Sequence, residues 1–118
     1  MGVRRSPLGS QKGVKVKANE TEKRLARELG GSRVPASGAL DGAKGDISTK
    51  DFLIDSKETG AKSIVVTSQQ LNKISKEARE AGRDPALILT LEGAQLGTSK
   101  EWVCIPFRVF KEMTNDTD

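Results

Sequence analysis

Several residue types that carry catalytic or structural chemistry are scarce or missing from this sequence of 118 residues. It contains no histidine and a single cysteine, Cys104. The lack of histidine excludes Ser-His-Asp triads, Cys-His pairs and histidine metal ligands, and a single cysteine excludes a disulfide framework or a cysteine-based zinc site. Any catalysis must therefore use carboxylates, lysine or hydroxyl groups, and any metal must be a hard cation that prefers oxygen.

Long apolar runs are also missing. No segment approaches the roughly 20 apolar residues that span a bilayer. The basic start of the chain, residues 1–17, has no apolar stretch of the kind found in signal peptides. We therefore expect a cytoplasmic protein, and the chain length suits one domain with a single modest core.

The formal net charge of +4 is unevenly distributed along the chain. Residues 1–17 hold five of the 20 basic residues and none of the 16 acidic ones, which leaves 15 basic against 16 acidic residues, a net of −1, in the remainder. Because this segment is rich in Gly and Ser, we predict a flexible basic arm over residues 1–18. Both an electrostatic contact with phosphates and a plain solvated tail fit this composition. The basic residues of the arm are Arg4, Arg5, Lys12, Lys15 and Lys17.

The rest of the chain predicts one folded domain over residues 19–113, followed by a frayed polar tail over 114–118. Capping residues (Asn19 and Ser68) and apolar periodicity predict helices over residues 19–29 and 68–81. Strands are predicted over residues 32–35, 46–49, 51–57, 62–67, 85–91 and 101–105, and residues 106–113 fit either a strand or a short helix. This order predicts an α/β domain, with a central mixed sheet of about five strands flanked by helices.

The second and third predicted strands bring carboxylates together. Asp55 and Lys57 are two residues apart, so both side chains leave the same face of their strand. If the two strands form a hairpin, Asp46 comes near this pair, and a divalent cation such as Mg²⁺ would relieve the repulsion between the two carboxylates. The alternative is a surface strand that carries an ordinary salt bridge.

Glu22 is the third acidic candidate. It stands three residues after Asn19, as in a capping box. It also precedes Leu25, Ala26 and Leu29 by three, four and seven residues, so it projects along the apolar stripe of its helix. These two interpretations are compatible with each other.

Four short segments occur in an order that resembles the PD-(D/E)xK nuclease superfamily, and more narrowly the archaeal-type Holliday junction resolvases and their phage relatives. They are Glu22-x-x-Leu25-Ala26, Pro35-Ala36-Ser37-Gly38, Gly45-Asp46-Ile47 and Leu53-Ile54-Asp55-Ser56-Lys57. The similarity continues through residues 64–71 and 82–89 and covers about residues 19–107. It implies a restriction-endonuclease-like fold over the predicted domain.

The resemblance also implies roles for matching residues. Asp46 and Asp55 would be the principal metal ligands, and Glu22 would complete the metal site, with Glu28 as a competitor. Lys57 would be the catalytic lysine, Ser37 would lie in a loop near the scissile phosphate, and Gln70 would have a supporting role. The family's usual Pro-Asp is Gly45-Asp46 here, and its usual glutamate before x-Lys is the shorter Asp55.

The implied function is a Holliday junction resolvase, a Mg²⁺-dependent homodimeric endonuclease that cuts opposed strands of four-way junctions, with Mn²⁺ expected to substitute. Its setting would be the cytoplasm of an archaeal, bacterial or phage-infected host cell. Two alternatives remain, a related nicking or repair nuclease without junction preference and a non-catalytic DNA-binding protein. Trp102, Ile105 and Phe107 are candidate dimer contacts or ordinary core residues. Besides the arm, the candidate DNA-binding residues are Arg24, Arg27, Arg33, Lys44 and Lys62.

Overall fold

The computed structural model of the chain describes residues 19–34, 46–93 and 99–115. The helices in these ranges are α1 (residues 19–29), α2 (Ser68–Glu80) and α3 (Phe107–Asn115). The strands are β1 (Ser32–Arg33), β2 (Ile47–Ser48), β3 (Phe52–Thr59), β4 (Asp84–Leu91) and β5 (Glu101–Cys104). None of the described helices is long and apolar enough to cross a membrane.

The five strands form one mixed sheet in the order β1-β2-β3-β4-β5. β3 and β4 pair in parallel and are connected through α2, whereas the other neighbours pair antiparallel. A parallel pair needs such a crossover connection, and the helix supplies it. The predicted α/β class, with a mixed sheet of five strands flanked by helices, is confirmed.

Residues of β4 from Pro85 to Thr90 are all buried, as expected for a continuous apolar run at the centre of a sheet. Successive side chains of the neighbouring β3 point alternately into two cores, one on each face of the sheet. Ile54 packs with Leu25 of α1 on one face, and Leu53 packs with Ile74 of α2 on the other. Asp55 and Lys57 therefore leave β3 on the side of α2, together with Leu53.

The connection between α1 and β1 depends on two glycines. Gly30 ends the helix with a φ of 69°, a left-handed conformation that costs glycine little. At Gly31 the chain passes so close to β2 that a Cβ atom would lie 2.5 Å from the carbonyl oxygen of Ser48. These residues bring β1 back against β2 immediately after α1.

One predicted strand is wrong. Residues 63–67 have no regular structure, although Ile64, Val65 and Val66 are β-branched. The segment leads from β3 to α2, which packs on a face of the sheet, and Val65 is 75% exposed, so little burial supports a strand here. Instead, Thr67 caps α2 in a reciprocal pair of hydrogen bonds with Gln70, so the cap lies one residue before the predicted Ser68.

Other predicted boundaries also shift. Asn19 is already helical, so it is not the N-cap of α1, and its side chain accepts a hydrogen bond from Arg33. The sequence of residues 106–113 fits either a strand or a short helix, and the structure has a helix over 107–115. This helix extends two residues past the predicted domain boundary at 113. The predicted arm over 1–18, the loop over 36–45 and residues 116–118 lie outside the described residues.

Candidate active site

Asp46 is held beside Asp55 by the pairing of β2 with β3. Ile47 lies opposite Ile54, so the next position of the register places Asp46 opposite Asp55. The Asp46 backbone N–H donates to the carbonyl oxygen of Ile54 at 2.8 Å, and its Oδ2 accepts from the backbone N–H of Ser56 at 2.8 Å. Asp46 is thus fixed against β3 by one hydrogen bond from its backbone and one to its side chain.

The electrostatics of Asp55 reflect this neighbour. Burial, a hydrogen bond with the Asp46 side chain and repulsion by Asp46 together raise the pKa of Asp55 to about 6. Lys57 and Lys73 act in the opposite direction but do not cancel the effect. Two carboxyl groups in this arrangement share either a proton or a cation.

The donor atoms of this pair fit a hard divalent cation. Mg²⁺ is commonly bound by one or two carboxylates, with waters and a substrate phosphate in its other positions, and Asp46 and Asp55 supply two carboxylates. In the parts of the chain that the structure describes, no group of three His, Cys, Asp or Glu residues is arranged to hold a metal. Two carboxylates suit a cation that completes its coordination with water and a substrate phosphate.

Glu22 makes a different contact. Its Oε1 accepts a hydrogen bond from Arg33 Nη2 at 3.0 Å, and the side chain is only 17% exposed. The same guanidinium donates to Asn19 Oδ1 at 2.6 Å. The structure thus brings Glu22 together with Arg33 of β1 and not into a metal-holding group with Asp46 and Asp55.

Lys57 and Gln70 line one open groove of about 400 Å³ between β3 and the start of α2, which Ile64 and Val65 also line. Gln70 is partly committed to the helix cap, because its Oε1 accepts from the backbone N–H of Thr67 at 3.0 Å. Lys57 and Gln70, which both have predicted roles in the site, therefore share a surface. Lys57 also lies on the same face of β3 as Asp55.

Lys73 is the cation that sequence reasoning missed. It lies on α2, close enough to Asp55 to lower the pKa of that carboxyl, and its Nζ is 3.3 Å from Oε2 of Glu77. Glu77 is buried, and its Oε1 has no hydrogen-bond partner. Gln70, Lys73 and Glu77 are spaced three and four residues apart, which places them on one face of a helix. This spacing was the sequence signal that could have grouped Lys73 with Gln70.

The predicted DNA-binding residues have different environments. Arg24 is bound to Glu101 and Glu28, and the hydrogen bond with Glu101 is the main reason that its pKa is raised. Arg33 is paired with Glu22, whereas Arg27 and Lys62 are exposed. The remaining predicted site residues lie outside the described residues. They are Ser37, Lys44, Arg4, Arg5, Lys12, Lys15 and Lys17.

Comparison with known proteins gives one informative match. No protein-family model and no curated protein matches the sequence. Among solved structures, the fold is similar to that of Hjc from Archaeoglobus fulgidus, a Holliday junction resolvase from an archaeal hyperthermophile, with a TM-score of 0.57 and 19% sequence identity over 75% of each chain. At this identity the likeness shows a shared fold, and the predicted restriction-endonuclease-like architecture is confirmed.

Proposed function

We propose that this protein is a DNA endonuclease that resolves four-way junctions by hydrolysing phosphodiesters on opposed strands. The observation that carries the proposal is the Asp46–Asp55 pair, with Lys57 on the same strand face, on a fold shared with a Holliday junction resolvase. Two adjacent carboxylates and an ammonium group are a suitable set for metal-assisted phosphodiester hydrolysis. Such a site needs no histidine, and the chain has none.

Each residue has a distinct part in the proposed site. Asp46 and Asp55 would hold Mg²⁺, or Mn²⁺ in its place, and the cation would supply an activated water and stabilise negative charge on the attacked phosphate. The Lys57 ammonium orients the water or the phosphate through its charge. Gln70 lies in the same groove as Lys57, and Ser37 is assigned to the approach of the scissile phosphate by resemblance alone.

Glu22 joins this set only if Arg33 releases it. In the free protein the Glu22 carboxylate is neutralised by Arg33, so it is not a ready metal ligand. A substrate phosphate offers Arg33 a second anionic partner, since a guanidinium binds carboxylates and phosphates alike. We therefore assign Glu22 to the site as a ligand that becomes accessible when Arg33 contacts DNA.

A homodimer follows from the proposed reaction, because two symmetric cuts need two sites related by a twofold axis. A group of exposed apolar residues near the end of the chain supports this assembly. We call it the β5–α3 patch, and its exposed members are Trp102, Val103, Phe107, Phe110 and Met113. Ile105, the third candidate contact, packs against the α1-side core instead.

The test compares wild type with Asp46→Asn on a labelled four-way junction and on a linear duplex of the same sequence, each with Mg²⁺ and with chelator. We expect wild type to cut the junction only with Mg²⁺. Asp46→Asn should lose cleavage yet bind the junction at least as tightly, because affinity comes from phosphate contacts and a negative charge is removed. Glu112→Gln, exposed on α3, removes the same charge away from the site and serves as the control.

The alternatives give different results in this assay. Equal cutting of junction and duplex would indicate a related nuclease without junction preference. Binding without any cleavage by wild type, at any Mg²⁺ or Mn²⁺ concentration, would indicate a non-catalytic DNA-binding protein. If the Asp46→Asn variant cuts the junction at a near wild-type rate, the Asp46–Asp55 pair is not required for cleavage and the proposed site is wrong.

A further inference from the structure

A second charged surface lies on the α2 side of the sheet, at the start of β3 and β4. It is an open groove of about 610 Å³. Four cationic and two acidic side chains line it, which leaves an excess of two positive charges. These residues are Lys50, Arg79, Arg83, Arg108, Asp51 and Asp84. We call it the basic groove.

Two of the four cations are held in place by the fold. Arg83 donates from Nε to the carbonyl oxygen of Thr49 at 2.8 Å and from Nη1 to that of Ala81 at 3.2 Å. The second contact covers a carbonyl at the end of α2 that would otherwise repel an anion. Arg108 Nη2 is 3.1 Å from Asp84 Oδ1, so Arg108 is positioned by a neighbouring acid.

The other two cations are available for a ligand. Lys50 and Arg79 are exposed and form no ion pair with any residue that the structure describes. Arg24 and Arg33, by contrast, are each neutralised by a glutamate. The basic groove thus has uncompensated positive charge that these predicted DNA contacts lack.

The groove also lies in a useful position relative to the acid pair. Ser75 and Arg79 of α2 line it, and α2 packs on the face of β3 that carries Asp55 and Lys57. Asp51 precedes Asp55 by four residues, which is about 13 Å along an extended strand. That distance corresponds to about four base steps of duplex DNA.

We propose that the basic groove binds the phosphate backbone of a DNA arm that leads away from the scissile phosphate. This inference rests on the proposed nuclease function and identifies where the substrate lies on the protein. Lys50 and Arg79 would contact phosphates directly, whereas Arg83 and Arg108 provide fixed positive charge beside them. Phosphate contacts of this kind position the duplex without reading its sequence.

The test is a salt titration of binding to a four-way junction with the double variant Lys50→Gln/Arg79→Gln. Because each lost phosphate contact lowers the slope of log K against log salt by about 0.9, we expect the slope to fall by about 2 and the affinity to drop at every salt concentration. The control, Lys23→Gln/Lys100→Gln, removes the same charge at two exposed lysines paired with Glu20 and Glu92. Its slope should match that of wild type.

A variant that removes a negative charge, instead of positive ones, tests the same surface. Asp51→Asn removes an exposed acid from the groove, so binding should tighten several-fold at low salt. An unchanged slope in the double variant, or equal losses in the double variant and its control, would overturn the inference. Loss of affinity for a polyglutamate peptide without loss for DNA would also overturn it, since the groove would then recognise acidic protein.

These results are separable from failure of the proposed function. If wild type cuts junctions and the double variant binds them normally, the basic groove is rejected while the nuclease stands. If wild type binds no DNA, the proposed function itself fails. If wild type binds DNA without cutting it and the double variant shows the reduced slope, the groove stands and the catalytic assignment is rejected.

Discussion

At the scale of single residues, Asp55 combines burial with a neighbouring carboxylate. Its pKa is raised to about 6, against an ordinary value of 3.8. A raised pKa means that the folded protein holds a proton which the unfolded chain releases at lower pH. As pH rises from about 4 to 6, only the unfolded chain ionises at this position, so the free energy of unfolding falls, and above pH 6 the loss is complete.

Asp55→Asn should therefore stabilise the metal-free protein at neutral and alkaline pH. We expect a gain of about 1 to 2 kcal/mol at pH 8, discounted for solvent screening of a partly buried site, and almost none below pH 4. Urea unfolding in the presence of chelator, followed from pH 4 to pH 8, measures the difference. A gain that does not change across this range would contradict the electrostatic account of Asp55.

Lys57 is expected to act on rate more than on binding. Lys57→Ala should lower single-turnover cleavage by about 10²–10³-fold, because a charge that stabilises mainly the transition state is lost. Metal binding should remain measurable, since lysine is not a ligand. Lys57→Arg should not restore the rate fully, because a planar guanidinium does not replace a compact ammonium.

The control for this prediction is Lys76→Ala, an exposed lysine on α2. Single-turnover rates under saturating enzyme separate chemistry from binding. A Lys57→Ala rate within about threefold of wild type would return Lys57 to the role of a surface salt-bridge residue, worth at most about 1 kcal/mol of stability.

At the scale of elements, local sequence signals succeed where they agree with the available partners. The apolar run of β4 and the apolar periodicity of α2 both predict their elements, because burial supports the same conformation that the pattern favours. Residues 63–67 show the opposite case. Their β-branched residues favour a strand, yet Val65 is 75% exposed and the segment must reach the cap of α2, so it has no regular structure.

The site also depends on how elements pair. Asp46 and Asp55 meet because β2 and β3 form an antiparallel pair in one register, and a shift of one residue would turn Asp55 to the other face. Asp55, Lys57 and Asp46 could thus be predicted from spacing together with a hairpin. The pairing of Glu22 with Arg33 could not, because it joins residues 11 apart in sequence through the turn at Gly30 and Gly31.

At the scale of the whole molecule, β5 is an edge strand of the sheet and the β5–α3 patch exposes apolar side chains beside it. Phe107 is 74% exposed and Phe110 is 53% exposed. Several exposed apolar side chains on one helix and on a neighbouring edge strand in the sequence are typical of an interface. It offers a second copy of the chain both a strand edge and a helix face.

We predict that Phe107→Ser/Phe110→Ser converts a dimer into a monomer. Sedimentation equilibrium should show a drop from the dimeric to the monomeric mass, and junction cleavage should change from paired cuts to single nicks. Leu29→Ser, an exposed apolar residue at the end of α1, should leave the mass unchanged. A wild-type protein that is monomeric at assay concentration would contradict the prediction, as would an unchanged mass of the double variant.

The sequence by itself determined the α/β class, the buried central strand, the absence of histidine chemistry and the short list of acidic and lysine candidates. These features are local, because they depend on residue type, periodicity and spacing. Only the tertiary structure decided that Asp46 lies against Asp55, that Arg33 pairs with Glu22, that Lys73 lies near enough to Asp55 to lower its pKa and that four cations line one groove. Those contacts join residues from separate elements, and their formation depends on strand register and helix packing across the sheet.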